Sequence, residues 1–388
     1  MSAVPTVKYV VVGCGGRAIN LVAMLKTQPG LELAGAWDPS AQAVDDLYAA
    51  AGASGLPRPG SFEDALALPE VSWTLVASPN AYHRAHIEAA LSHGLHVFAE
   101  KPLATTEDDC LALAAAERRS DRLIMTGFTL RYSPLYREVK RLLDSGKLGR
   151  IVSIDANENL FPGHGAYIFT NWRRHHEIAG AHVLEKCVHD LDLLNWFTGS
   201  RPRRVAAFGD NLVFTRENAP LFDRTDAFKT WTETLRVGLN PFVTEKTVED
   251  TLVAILDYEN GAKVQFQITS SNPLGERRMY LSGTEGTLIV DLVTSKLTYK
   301  TLFDTEATVF DGRGGFHGGG DEVMIGELAA AMTHGTRPST GLAQGLVSTL
   351  VGLSLDRAHR EGRVIDLTPL WQQLEATNAP RGRATGRS

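Results

Sequence analysis

One junction near the start constrains this chain more than any other feature. The apolar, largely β-branched run Val7–Val12 breaks at Gly13-Cys14-Gly15-Gly16-Arg17-Ala18, after which Ala18, Leu21, Val22 and Leu25 recur at helical spacing. Strand, glycine turn and helix in that order match G-x-G-x-x-A, the pattern of a dinucleotide-binding turn. Gly13 permits the tight turn, Gly15 lets a pyrophosphate approach the backbone, and the small Ala18 lets helix and sheet pack closely. The first turn of the helix supplies unpaired N–H groups and a positive dipole to phosphates. A second apolar run, Leu31–Trp37, ends at Asp38, where an acid meets the adenosine ribose hydroxyls. Asp38 repels a 2′-phosphate and the following Pro39 and Ser40 offer no arginine to bind one, so NAD is expected rather than NADP.

The same grammar continues through the first third. Helical spacing over Ala41–Ala51, strands at Trp73–Ala77, His96–Ala99 and Leu123–Gly127, and helices over Asn80–His93 and Thr106–Arg118 predict a doubly wound parallel sheet, a Rossmann domain over 1–128. After about Gly149 the pattern changes. Ile151–Leu160 alternates, Thr251–Tyr258 and Ala262–Ser270 flank an Asn260-Gly261 turn, and Arg277–Ser282, Thr287–Leu292 and Lys296–Lys300 follow at meander spacing. These predict an α+β domain over 129–377 with a mostly antiparallel sheet. Asn211–Asp250 is aperiodic and reads as a lid or an oligomer arm. Asp321–His334 and Thr340–Arg360 are helical, the latter expected to pack back on the first domain, and 378–388 reads as a loose tail.

Several motifs together resemble the glucose–fructose oxidoreductase/inositol dehydrogenase (Gfo/Idh/MocA) family. They are the glycine turn, Ala77-Ser78-Pro79-Asn80 after the third strand, Glu100-Lys101-Pro102 after the fourth, Arg131-Tyr132-Ser133-Pro134, Gly180 to Asp192, and Gly319-Gly320-Asp321. The resemblance implies an NAD-dependent oxidoreductase acting on a hydroxyl of a sugar, polyol or glycoside. It implies that Lys101 reaches the substrate hydroxyl beside the nicotinamide, with a Lys101–Pro102 bond that is often cis in such proteins. Ser78, Pro79, Asn80, His83, Glu100 and Lys101 itself join Gly13, Cys14, Gly15, Gly16, Arg17, Ala18 and Asp38 as expected cofactor contacts.

The second catalytic element is Glu185-Lys186-Cys187-Val188-His189. On one helix, Glu185 and His189 stand at i and i+4 and share a face. The family pattern places Asp, three residues, then a His that takes the hydroxyl proton; His189 matches, Glu185 replaces the shorter acid, and Lys186 is a departure. His189 titrates in the range a general base needs, Lys101 stabilises a developing alkoxide, and Glu185 orients either cation. Asp190 and Asp192 read as structural partners. Arg131, Tyr132, Tyr167, Trp172, Arg173 and Arg174 are expected to face substrate, and the two arginines of 172–176 suit an anionic sugar; His164, Asn171 and His317 are further candidates. Cys187 beside these groups lacks the ligand spacing of a zinc site, so no metal is expected.

Two other readings use the same parts. One is an NAD-dependent glycoside hydrolase that oxidises transiently, eliminates, adds water and reduces back. The other is a non-catalytic NAD-sensing regulator, which would be expected to lack Lys101 or His189. Lys+Arg 39 against Asp+Glu 45 leaves a net charge of −6, which offers nucleic acid no basic field. No apolar run reaches the length of a membrane span. Three scattered cysteines, Cys14, Cys110 and Cys187, fit a reducing compartment, so a cytoplasmic homodimer or homotetramer is expected.

Overall fold

The computed structural model describes residues 6–231, 238–312 and 315–378, so all but the first residue of the expected tail lies outside the described residues. Strands β1 (Val7–Val12), β2 (Leu31–Trp37), β3 (Val71–Val76), β4 (His96–Ala99) and β5 (Ile124–Thr126) form a parallel sheet in the order β2-β1-β3-β4-β5. Helices Gly16–Leu25, Ala41–Ala51, His83–Ser92 and Glu107–Glu117 connect them. Their ends are chemically marked. Ser40 and Thr106 accept the backbone N–H groups of Ala43 and Asp109, and Gly52 closes its helix in the left-handed region at φ 64°.

The remaining strands are β6 (Ile151–Asn159), β7 (Pro202–Asp210), β8 (Thr251–Tyr258), β9 (Lys263–Thr269), β10 (Arg278–Gly283), β11 (Gly286–Asp291), β12 (Lys296–Thr301), β13 (Thr308–Asp311) and β14 (Ile365–Asp366). They form a second sheet in the order β13-β12-β11-β10-β6-β9-β8-β7-β14, antiparallel except for the β6–β9 pair. The Asn260-Gly261 hairpin joins β8 and β9 as its turn chemistry demands, with Gly261 at φ 92°. Strands β7, β13 and β14 went unread. The Arg203 and Arg204 side chains interrupt the apolar pattern of β7, β13 is exposed throughout, and β14 is two residues long.

One face of this second sheet is buried and the other is not. Leu252, Ala254 and Leu256 of β8 point inward, whereas Val253 and Ile255 point out. The inward face shares a core with Val10, Val12, Val76 and Val97 of the first sheet and with Leu346, Leu350 and Leu355 of the long helix Leu342–Glu361. A second cluster joins Tyr9, Val11, Leu21, Trp73 and Phe98 to Met324, Ile325 and Leu328 of the helix Gly320–His334. Both of these helices therefore pack on the first sheet, rather than Leu342–Glu361 alone. The described parts of 211–250 are anchored to their own chain. Phe214 stacks on Phe169 at 4.6 Å, and the Asp250 carboxylate accepts the backbone N–H groups of Leu212, Val213 and Phe214.

Candidate active site

The glycine turn has the shape that a dinucleotide requires. Gly13 sits at φ 90°, and a Cβ there would lie 2.4 Å from the Ser78 backbone nitrogen, so no other residue fits. A Cβ at Gly15 would meet nothing within 4 Å, and Gly15 offers no side-chain cap to the helix that follows. Open space therefore stands over uncapped amides at a helix N-terminus. Asp38 accepts the Cys14 N–H at 2.9 Å and the Ser40 N–H at 2.8 Å, which fixes its carboxylate at the end of β2 beside the turn. Cys14 is buried, and burial together with Asp38 pushes its thiol up to about 12. It is a packing residue.

Arg17 behaves differently from the rest of the turn. Its guanidinium binds Glu100 at 2.6 Å, Asp321 at 2.7 Å and Thr129 at 3.1 Å, tying the turn to the loop after β4 and to a late helix. Its side chain is thus an internal strut rather than a cofactor contact. Ser78 bonds His86, and Asn80 donates to the Ala179 carbonyl oxygen. His83 is neither on the surface nor free to meet a nicotinamide: it is 1% exposed, with its ring nitrogens 2.7 Å from the Pro102 and Ser78 carbonyl oxygens. Only the doubly protonated ring donates to both. Burial opposes that charge and moves the pKa down, with the two carbonyls and Glu100 pulling the other way. His83 fastens the Lys101–Pro102 segment, whose peptide bond is cis.

Lys101 projects from that segment toward the second element. Its ammonium donates to the Glu185 carbonyl oxygen at 2.7 Å and lies 3.8 Å from the Glu185 carboxylate. Burial lowers the Lys101 pKa, as do Lys186 and Arg173, while Glu185 and Glu100 oppose. Burial alone would raise the Glu185 carboxyl, but Lys101 and Arg173 hold it at about 2. Glu185 and His189 do not share one continuous helix. The helix His182–Glu185 ends, Lys186 and Cys187 turn, and a second helix runs over Val188–Thr198. The carbonyl freed at that break is the one that Lys101 takes. His189 is 5% exposed, its Nδ1 has no hydrogen-bond partner, and its ring lies 6.1 Å from Phe128 and 5.8 Å from His317. Burial, then Lys101, His317, Arg277 and Lys186, hold its pKa well below 6.5.

Three of the expected substrate contacts are committed elsewhere. Arg131 makes a forked pair with Asp192 at 2.5 and 2.8 Å, and Tyr132 is fully buried, bonded to Glu327 and Thr340. Arg174 donates to the carbonyl oxygens of Asn171 and Glu245. These residues brace the pocket instead of lining it. Arg173 does lie at the site, but it binds Glu185 at 2.8 Å and stacks over Trp172 and Tyr167 at 4.4 and 5.2 Å. An anionic sugar would therefore have to compete with Glu185 for it. Tyr167 also stacks on Trp231 at 5.0 Å, and His164 lies 4.4 Å from Trp231.

Sequence reasoning missed a buried ionic layer beneath His189. Arg277 grips Asp190 at 2.7 and 2.9 Å and Glu158 at 3.0 Å, and Lys186 lies 3.4 Å from Glu158. Potential ligand atoms of Glu158, Cys187 and Asp190 lie within 4.8 Å of one another; Arg277 pairs with both acids and Lys186 with Glu158, while burial and Glu158 push the Asp190 carboxyl up to about 7 against the pull of Arg277. Nothing local to Glu158 or Arg277 announced the layer, because its members lie on β6, just before β10, in the turn at Lys186 and on the helix Val188–Thr198.

With this geometry in view, comparison with known proteins is decisive. Residues 7–128 match the model of the oxidoreductase family's NAD-binding Rossmann fold, and residues 136–289 match the GFO/IDH/MocA C-terminal domain. The chain belongs to the Gfo/Idh/MocA family. It is 26% identical over 364 residues to YteT of Bacillus subtilis (strain 168), covering 80% of this chain and 85% of that one. It is 31% identical over 212 residues to inositol 2-dehydrogenase 3 of Saccharopolyspora erythraea, covering 52% and 59%. A levoglucosan dehydrogenase, solved with NADH and levoglucosan, superposes with a TM-score of 0.77 at 17% identity, covering 94% of this chain and 100% of that one. As a Gfo/Idh/MocA oxidoreductase, the chain has an NAD-binding Rossmann domain in its first third. Among the described residues, no helix is long and apolar enough to cross a membrane.

Proposed function

We propose that this chain oxidises a secondary hydroxyl of a sugar or polyol with NAD, using Lys101 and His189. The observation that carries this reading is their placement. Lys101, on the segment after β4, meets Glu185, and its charge disfavours protonation of His189; the glycine turn, open over Gly15, is tied to the same segment through Arg17 and Glu100. Gly13, Gly15 and Asp38 would hold NAD, and Asp38 selects against a 2′-phosphate. When bound, NAD accepts the hydride.

The chain's own residues handle the rest. Lys101 donates to the substrate oxygen and stabilises it as it becomes an alkoxide. Burial and neighbouring cations keep His189 neutral at physiological pH, so it accepts the hydroxyl proton. Glu185 positions Lys101 and Arg173 and remains ionised. Trp172, Tyr167 and Trp231, gathered around Arg173, form an aromatic cluster against which an apolar sugar face can pack.

A 26% likeness over 213 residues to 2,7-anhydro-N-acetylneuraminate hydratase of Mediterraneibacter gnavus, covering 55% of this chain and 54% of that one, favours a second reading. In it the same parts oxidise a glycoside transiently, eliminate its aglycone, add water across the resulting double bond and return the hydride to the carbonyl. The test is to incubate the protein and NAD with myo-inositol, levoglucosan and aryl glycosides, following nicotinamide absorbance and aglycone release together. Net NADH supports the dehydrogenase, aglycone without net NADH supports the second reading, and neither signal refutes both. We infer further that the protein works in the cytoplasm as a homodimer or homotetramer. Its three buried free thiols and the outward apolar row Phe208, Val253 and Ile255 support this reading.

A further inference from the structure

His317 occupies a conformation that needs a reason. It lies at φ 50°, followed by Gly318 at 59° and Gly319 at 76°, so three consecutive residues are left-handed and one of them carries a side chain. A non-glycine residue is uncommon in that region, and such outliers collect at functional sites. This one delivers the imidazole, 19% exposed, to a position where Nδ1 lies 2.7 Å from Asp321 and the ring lies 5.8 Å from that of His189. With Nδ1–H donated to Asp321, the neutral ring carries its lone pair on Nε2. Asp321 also binds Arg17, which binds Glu100, the neighbour of Lys101. The pair is thus braced against the same turn and loop that carry the proposed cofactor site and Lys101.

We propose that His317, held by Asp321, is a second proton-handling residue of this pocket and receives the proton that His189 takes from the substrate hydroxyl. The inference rests on the dehydrogenase reading above. The substrate O–H bond breaks as an N–H bond forms on His189. That N–H then breaks, directly or through one water, as an N–H bond forms on Nε2 of His317, and solvent takes this proton. The hydride leaves the same carbon for NAD, so each turnover yields one carbonyl, one NADH and one proton. The direction suits the surroundings. Burial disfavours a proton on either ring; beyond burial, His189 faces the cations Lys101, Arg277 and Lys186 and the His317 ring, whereas His317 faces Asp321 as well as Arg17 and Lys186. Protonated His189 is repelled on every side named; protonated His317 meets a carboxylate.

Two substitutions suit the backbone. Asn tolerates the left-handed region and does not titrate, and Gly both tolerates it and leaves room for free imidazole. With whichever of myo-inositol, levoglucosan and 1,5-anhydro-D-glucitol the unmodified protein oxidises, His317→Asn should lower kcat about 10- to 100-fold. KM and the NAD Kd should stay within about twofold, and the solvent deuterium isotope effect on kcat should rise. Free imidazole should restore His317→Gly saturably, as a packing role would not allow. The relay is overturned if His189→Asn abolishes turnover while His317→Asn keeps its kcat and pH profile, or if imidazole fails to restore His317→Gly. If His189→Asn is also active, or none of the three polyols is oxidised, the dehydrogenase reading itself fails and the relay falls with it.

Discussion

Glu185 shows how single residues set this site. Two cations share one buried carboxylate, and removing either would leave a charge poorly compensated away from water. Lys101→Met and His189→Asn should each lower kcat by about 10²–10⁴. Titration calorimetry should find their NAD Kd nearly unchanged, because neither residue lies in the glycine turn. His189 is held well below 6.5, so it stays neutral as pH falls through that value. The acid limb of kcat for oxidation should therefore lie below pH 6.5, and a limb above 7 would contradict His189 as the base. Asp38→Ala should narrow the preference for NAD over NADP, read from both dissociation constants, by removing a like-charge repulsion. That Lys101, Glu185 and His189 would gather at one place was legible because each stands in a short motif. Arg131 and Tyr132 were misread because a motif names a residue without saying which way its side chain turns.

At the scale of elements, strands with a strong apolar run and helices with chemical caps were readable from local sequence. The break at Lys186–Cys187 was not, since distant residues stabilise it. Lys101 takes a carbonyl at the end of the helix His182–Glu185, and Glu249 accepts the Val183 N–H at 2.9 Å at its start. Burial raises the Glu249 carboxyl from 4.5 to about 7, against the pull of backbone N–H groups. The folded state thus holds this proton more tightly than the unfolded chain. Its contribution to stability is full below pH 4.5 and is lost as pH rises through about 7. Glu249→Gln keeps an acceptor for the amide without the titration. It should raise stability at pH 8 by up to about 3 kcal/mol and flatten the slope below it, measured by urea unfolding at several pH values. An unchanged slope would show that Glu249 is not protonated in the fold.

For the whole molecule, the two sheets are welded by one shared core rather than joined by a linker. Met324, Ile325 and Leu328 complete the packing around Tyr9, Leu21 and Trp73, so the late helix belongs physically to the first sheet. No periodicity in the sequence announces which sheet a late helix covers; that depends on contacts more than 200 residues apart, such as Arg17 with Asp321. The outer face of the second sheet stays open, with Phe208 75% and Ile255 61% exposed. Exposed apolar rows of this kind mark association surfaces. Ile255→Lys should convert an assembled protein to a smaller species by light scattering, without loss of helix signal. An unchanged mass would place the interface elsewhere.

The most direct test of the central claim is isotopic. The substrate is to carry deuterium on the carbon that bears the oxidised hydroxyl, with NAD in a single turnover and the nicotinamide then analysed by mass and NMR. The account predicts one deuterium on the nicotinamide ring, slower transfer than with hydrogen, and loss of transfer in Lys101→Met and His189→Asn. Deuterium lost to water, or transfer that proceeds at full rate in both variants, would contradict it.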